Sequence, residues 1–175
     1  MQLSEAIQLI RNDQISAATP SVWADLGCGS GLFTFALAHY LPAGSRIYAL
    51  DQNNPLKPEI RPNGVEVVPR QKDFVRDELE LPALDGILMA NALHYVADKP
   101  GFLRKLQTYL KPNGRFLIVE YDTDKPVPTW VPYPISFASL TRLVTTAGYS
   151  TIEKLGERPS RYGTGNMYAA FITRT

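Results

Sequence analysis

An α/β domain of the doubly wound type, built on a central and mostly parallel sheet, is the fold this sequence predicts. Three observations carry it. Short apolar strand segments alternate with helix-patterned segments from Val22 onward, a glycine-rich stretch joins the first strand to the helix after it, and Asp51 closes the second strand about 20 residues past the last of those glycines.

The elements follow in order. Leu3, Ala6, Ile7 and Ile10 fall on one helical face, so residues 3–11 form a short leading helix. After Pro20, the apolar run 22–26 enters Gly27-Cys28-Gly29-Ser30-Gly31 as a strand enters a tight turn, and residues 32–41 are helix-like until Pro42 and Gly44. Residues 46–50, 65–69, 84–90 and 115–121 are the next four strands. Residues 99–110, with Phe102, Leu103, Leu106, Tyr109 and Leu110 in helical spacing before Pro112-Asn113-Gly114, make a crossover helix. Pro55, Pro58 and Pro62 interrupt the stretch after the second strand, and residues 71–82 after the third are short and charged, so helices there should be short or missing. A helix over 137–147 stopped by Gly148, then strands over 150–158 and 167–173 around a glycine-rich turn, complete the chain.

Composition narrows the function. With 175 residues, 45% of them hydrophobic and 20% charged, the chain has the make-up of one folded domain over 1–175 and not of a disordered or fibrous protein. A formal net charge of +1 argues against non-specific nucleic-acid or anionic-membrane partners, which draw on excess positive charge. Cys28 alone can form neither an internal disulfide nor a multi-cysteine zinc site, and no metal is expected. With no export signal and no apolar run long enough to cross a bilayer, the expected location is cytoplasmic.

The sharpest feature is Asp25-Leu26-Gly27-Cys28-Gly29-Ser30-Gly31. Glycines here let the backbone turn with positive φ and approach a ligand, while the next helix aims free N–H groups at it. The spacing is not the G-x-G-x-x-G of a dinucleotide loop, and an acid two residues before the first glycine suits a ligand carrying an ammonium as well as a carboxylate better than a pyrophosphate. Asp51, one residue past the second strand, can accept from both hydroxyls of a ribose. Asp73 beside Phe74 can accept from an exocyclic amine and pack against a purine face.

In this order of features the sequence resembles the class I S-adenosylmethionine-dependent methyltransferases, particularly their minimal small-molecule members. The resemblance runs through the glycine loop, Asp51, Asp73-Phe74, the stretch Asp85-Gly86-Ile87-Leu88-Met89-Ala90-Asn91-Ala92-Leu93-His94-Tyr95, and Leu110-Lys111-Pro112-Asn113-Gly114-Arg115. It implies a seven-stranded sheet with the last strand reversed and S-adenosylmethionine as cofactor. Asp25 and the three loop glycines would approach the methionine portion, Asp51 with Gln52 would hold the ribose, Asp73 and Phe74 the adenine, and Ala90 and Asn91 would flank the methyl group. Tyr95, Trp130 and Tyr133 are candidates for the acceptor pocket.

Methyl transfer from a sulfonium is an in-line displacement with a neutral leaving group, so positioning can supply much of the catalysis. Of the two histidines, His39 lies toward the end of the first crossover helix and reads as structural. His94 follows the fourth strand on the ligand edge, where it is either a general base or a brace for its loop. The [Asn/Asp]-Pro-Pro-aromatic sequence that methyltransferases of nucleobase amino groups share after the fourth strand is replaced by Asn91-Ala92-Leu93-His94, which leaves a small-molecule acceptor as the expected partner. Two rivals stand beside this reading, a non-catalytic protein that only binds the cofactor and a nicotinamide-dependent oxidoreductase. The acceptor's identity and the oligomeric state are not written in the pattern.

Overall fold

Side chains along the central strands alternate between two apolar layers, and this alternation is what places helices on both faces of one sheet. The computed structural model describes residues 1–15, 19–53, 56–160 and 165–174. In chain order the elements are α1 (Leu3–Leu9), β1 (Val22–Leu26), α2 (Leu32–Tyr40), β2 (Arg46–Asp51), β3 (Glu59–Ile60), β4 (Glu66–Gln71), β5 (Leu84–Ala90), α3 (Lys99–Gln107), β6 (Leu110–Tyr121), α4 (Phe137–Thr146), β7 (Thr151–Pro159) and β8 (Asn166–Thr173). A 3-10 turn, Leu93–Tyr95, joins β5 to the start of α3.

The strand order is β3-β4-β2-β1-β5-β6-β8-β7. Strands β4, β2, β1, β5 and β6 run parallel, while β8 is antiparallel to both β6 and β7. Trp23, Ile47, Leu88 and Leu117 pack under α1 and α2, against residues such as Ala6, Leu9, Phe33 and Leu37. The intervening Ala24, Leu50, Ile87 and Ile118 face the other way, toward Phe102 and Leu106 of α3 and Leu140 and Val144 of α4. Gly86 is paired with Trp23 across β5 and β1, and any side chain there would run into the indole ring, so the large core residue is accommodated by the absent one.

Three details depart from the sequence expectation. The sheet has eight strands and not seven, because Glu59–Ile60 forms a two-residue antiparallel edge on β4. The crossover helix ends at Gln107, not at residue 110: the Tyr109 carbonyl accepts from the Leu84 N–H, so Tyr109 and Leu110 serve the sheet although their spacing suits a helix. For the same reason β6 starts at Leu110, with a register shift against β5 that absorbs the Pro112-Asn113-Gly114 turn. As expected, the described residues between β2 and β4 and between β4 and β5 hold no helix. No helix among the described residues is long and apolar enough to cross a membrane.

The chain moves from β1 to β2 and β4 on one side, then returns to place β5 and β6 on the other. Where strand order reverses in this way, the carboxyl ends of the two diverging strands leave a crevice, here between β1 and β5.

Candidate functional site

The glycine loop fills one wall of that crevice. Gly27 and Cys28 both donate to the Leu50 carbonyl, at 2.8 and 3.0 Å, which ties the loop to the end of β2. Gly27 has φ +79°, and a Cβ on it would stand 2.7 Å from the Ala92 Cβ and 3.1 Å from the Phe74 ring. Only glycine lets the backbone pass between those walls. Gly29, at φ +51°, has nothing within 4 Å of the Cβ position, so it borders open space, and its N–H donates to Asp51 Oδ2 at 2.9 Å. Gly31, at φ +87°, opens α2, whose first turn has no side-chain cap; its N–H groups face the loop.

The open cleft beside this loop has a volume of about 350 Å³. Gly27 comes from the end of β1, and Asp51 and Gln52 from the end of β2. Asp73 and Phe74 follow β4, while Asn91 and Tyr95 follow β5. Asp51 also accepts from the Asn53 N–H through Oδ1, and Gln71 Nε2 donates to the Gln52 carbonyl, so this wall is pinned by its own hydrogen bonds. Asp73 Oδ1 caps the turn after β4 by accepting from the N–H groups of Val75 and Arg76. The Phe74 ring leans on Phe102 of α3 with centroids 5.9 Å apart. Asn91 sits at φ +52° with its N–H on the Val119 carbonyl, and its Oδ1 is buried without a hydrogen-bond partner among the described residues.

The other candidates lie elsewhere. Asp25 is buried one layer beneath the loop, where Oδ2 accepts from the Thr34 hydroxyl at 2.6 Å and Oδ1 is a second orphaned acceptor. Burial lifts its carboxyl to about 7; the Thr34 hydroxyl opposes the rise and the nearby Asp51 charge adds to it. Gly29, Gly31 and Ala90 adjoin the crevice without lining the cleft. His94 is 2% exposed and also outside the lining: the Glu120 carboxylate accepts its backbone N–H at 3.1 Å and stands 2.8 Å from Nδ1. Tyr133 is brought to the same place, its N–H donating to the His94 carbonyl at 3.0 Å, while Trp130 stands exposed on the loop between β6 and α4.

Sequence reasoning missed Lys72, Val75, Arg76 and Ala92 in the cleft wall, and Glu120 behind His94. Lys72 and Arg76 carry a signal, as cations flanking Asp73. Ala92 carries one as the neighbour of Asn91, whereas Glu120 carries none, because only the pairing of β5 with β6 brings it to His94.

The site is thus a switch-point crevice of an α/β domain, walled by a glycine loop, an acid ending β2 and an acid–aromatic pair after β4. A family model described as a methyltransferase domain matches residues 24–116, more than half of the chain, and the chain belongs to this family. The family and fold are those of the class I, S-adenosylmethionine-dependent methyltransferases. A ubiquinone/menaquinone biosynthesis C-methyltransferase, UbiE of Shewanella frigidimarina, is 29% identical over 122 residues, 64% of this chain and 47% of that protein. The chain thus spans about half the length of the curated relatives it matches. Among solved structures, the Burkholderia thailandensis 1,6-didemethyltoxoflavin-N1-methyltransferase, determined with 1,6-didemethyltoxoflavin and S-adenosylhomocysteine, superposes with TM-score 0.71 at 19% identity, covering 99% of this chain and 78% of that one. YcgJ of Bacillus subtilis does so with TM-score 0.66 at 14% identity, covering 98% and 97%.

Proposed function

We propose that this chain transfers a methyl group from S-adenosylmethionine to a small-molecule acceptor. The observation that carries the reading is the convergence of Gly27, Asp51, Asp73-Phe74 and Asn91, from four separate strand ends, on one cleft. Their chemistry fits the cofactor. Asp51 supplies carboxylate acceptors for ribose hydroxyls, and Asp73 with Phe74 an acceptor and an aromatic face for adenine. The uncapped first turn of α2 suits the carboxylate of an amino acid, and the Asp25 carboxyl beneath the loop favours its ammonium from behind. Bound there, S-adenosylmethionine supplies a methyl group on a sulfonium, whose loss leaves a neutral thioether. The protein's part is to hold the acceptor in line with it and to exclude water, with Asn91 and Tyr95 at the β5 edge.

His94 acts in this reading as a brace, because both its backbone N–H and its Nδ1 are held by the buried Glu120. The names of UbiE and of the toxoflavin enzyme support a small acceptor. A cytoplasmic setting suits the buried free thiol of Cys28. One observation favours a second reading, a protein that binds the cofactor without turnover: no histidine is among the cleft-lining residues.

Calorimetry with S-adenosylmethionine and S-adenosylhomocysteine tests the proposal. Both should bind at micromolar scale and raise the melting temperature by the mass-action amount. A folded protein that gives neither heat nor shift at millimolar ligand overturns it, and binding without turnover across a panel of small acceptors favours the second reading.

A further inference from the structure

The loop between β6 and α4 holds its aromatic side chains out toward solvent instead of folding them inward. Residues 125–135 contain four prolines and a single charged residue, Lys125. The base of the loop is closed by Asp124, whose carboxylate accepts from the Ser136 N–H at 2.9 Å and from the Ser136 hydroxyl at 2.8 Å. Within it, Val127 and Val131 pair as a small hairpin whose tip includes Thr129 at φ +74°, a strained conformation for a β-branched residue. Tyr133 is clamped on both sides of its backbone: its N–H donates to the His94 carbonyl, and its carbonyl accepts from the buried Lys99 ammonium at 2.6 Å. Trp130 is left 72% exposed and Tyr133 half-exposed, and the hydrogen bond from Tyr133 to the His94 carbonyl brings the loop to the sequence neighbour of Tyr95, the half-exposed tyrosine of the cleft wall. Large aromatic rings presented to water on an anchored backbone are the usual anchors of a binding surface.

Charge on this side of the cleft selects the ligand. The acidic and basic side chains that line the cleft, Asp51, Lys72, Asp73 and Arg76, all come from the β2 and β4 side, whereas Asn91, Ala92 and Tyr95 make up the β5 side. Beneath the aromatic loop the charges are consumed internally: Glu120 by His94, Asp122 by the Phe137 N–H and Lys154, and Asp124 by Ser136. The Lys99 ammonium stands 5.8 Å from the centroid of the Tyr133 ring, which satisfies the ring's affinity for a cation and opposes a second positive charge. An anion finds no open cation here: the Lys99 ammonium is buried and donates to the Val96 and Tyr133 carbonyls, and Lys125 lies at the loop's base next to Asp124.

We propose that the methyl acceptor is a flat, uncharged aromatic ring that packs against Tyr95, Trp130 and Tyr133. This rests on the reading of the cleft as the S-adenosylmethionine site, with the acceptor entering from the β5 edge. The full chain labelled with 5-fluorotryptophan provides the test, since its two tryptophans differ sharply: Trp23 is 1% exposed and Trp130 is open. With S-adenosylhomocysteine saturating, 2-naphthol, 2-naphthoate and trimethyl-2-naphthylammonium are titrated in turn. The naphthol is expected to move the Trp130 fluorine resonance and not that of Trp23, and to bind about tenfold or more tightly than either charged analogue. Trp130→Ala and Tyr133→Ala should each weaken it about two- to twelvefold, with the affinity for S-adenosylhomocysteine unchanged.

A charged analogue that binds as tightly as the naphthol overturns the inference, as does a Trp130 resonance that stays put at millimolar naphthol. Heat from S-adenosylhomocysteine in the same sample separates the two levels. Cofactor binding without a naphthol response sinks this inference alone. The absence of cofactor binding sinks the proposed function, and naphthol binding in that case would strip the aromatic surface of its role as an acceptor site.

Discussion

Asp51 and His94 stand on either side of the cleft wall, the carboxylate lining the cleft and the imidazole paired behind it with Glu120. Asp51 already accepts from the N–H groups of Gly29 and Asn53, so it orders the glycine loop before any ligand arrives. Asp51→Ala is therefore expected to weaken S-adenosylhomocysteine binding by about 1.5–3 kcal/mol, the range for hydrogen bonds to a charged acceptor. An unchanged dissociation constant in calorimetry would reduce Asp51 to a strand end. His94 behaves differently, because its partner Glu120 is wholly buried and has no route to water. His94→Ala strands that carboxylate and should lower stability by roughly 3–5 kcal/mol, as breaking a buried pair does. Urea unfolding measures this directly, and a fully stable variant that still binds cofactor normally would move His94 from brace toward chemistry.

At the scale of elements, the glycine loop shows why one glycine is not another. Gly27→Ala meets both a positive φ and a wall, with Ala92 and Phe74 pressed against the Cβ position, whereas Gly29→Ala meets only the positive φ. The second should lower stability by about 1–2 kcal/mol, the penalty of the left-handed region, and the first by clearly more. Equal losses in parallel urea titrations would show that the Gly27 wall gives way. Much of this was legible in the sequence, since a glycine-rich turn between an apolar run and a helical face has few other uses, and β1, β2 and β5 announce themselves as apolar runs ended by turn residues. The edge strand β3 was not: Glu59 and Ile60 are exposed, and their pairing with β4 is a backbone event with no side-chain signature. Tyr109 and Leu110 misled because a helical spacing of apolar residues continued into a strand. Glu120 was hidden more deeply, as it lies 26 residues from His94 and reads as one more residue near the end of β6.

Across the whole molecule, the groups with displaced protonation divide stability into separate pH windows. Glu5, hydrogen-bonded to Arg158 so that α1 is tied to β7, is held at about 2, well below its ordinary 4.5. Its contribution is present above pH 4.5 and is lost as pH falls toward 2, so it is constant from pH 5 upward. Asp25 acts in the opposite sense. Burial raises its carboxyl from 3.8 to about 7, so the folded protein binds a proton that the unfolded chain has released throughout that interval. Stability from this group is complete below pH 3.8 and falls as pH rises to 7, with a total change on the order of 4 kcal/mol at 1.36 kcal/mol per unit. Between pH 5 and 7 the urea midpoint should accordingly decline, and Asp25→Asn, which keeps the shape and an oxygen for the Thr34 hydroxyl, should flatten the decline and be the more stable protein at pH 8. The same substitution should weaken the cofactor, because the ionised carboxylate is the form that an ammonium ligand seeks. Saturating S-adenosylhomocysteine should then favour the charged form and make the decline shallower in the wild-type protein. Parallel pH series with and without ligand decide the matter: a wild-type decline that ligand leaves unaltered would mean that Asp25 senses only its own burial and that the ligand's ammonium is held elsewhere.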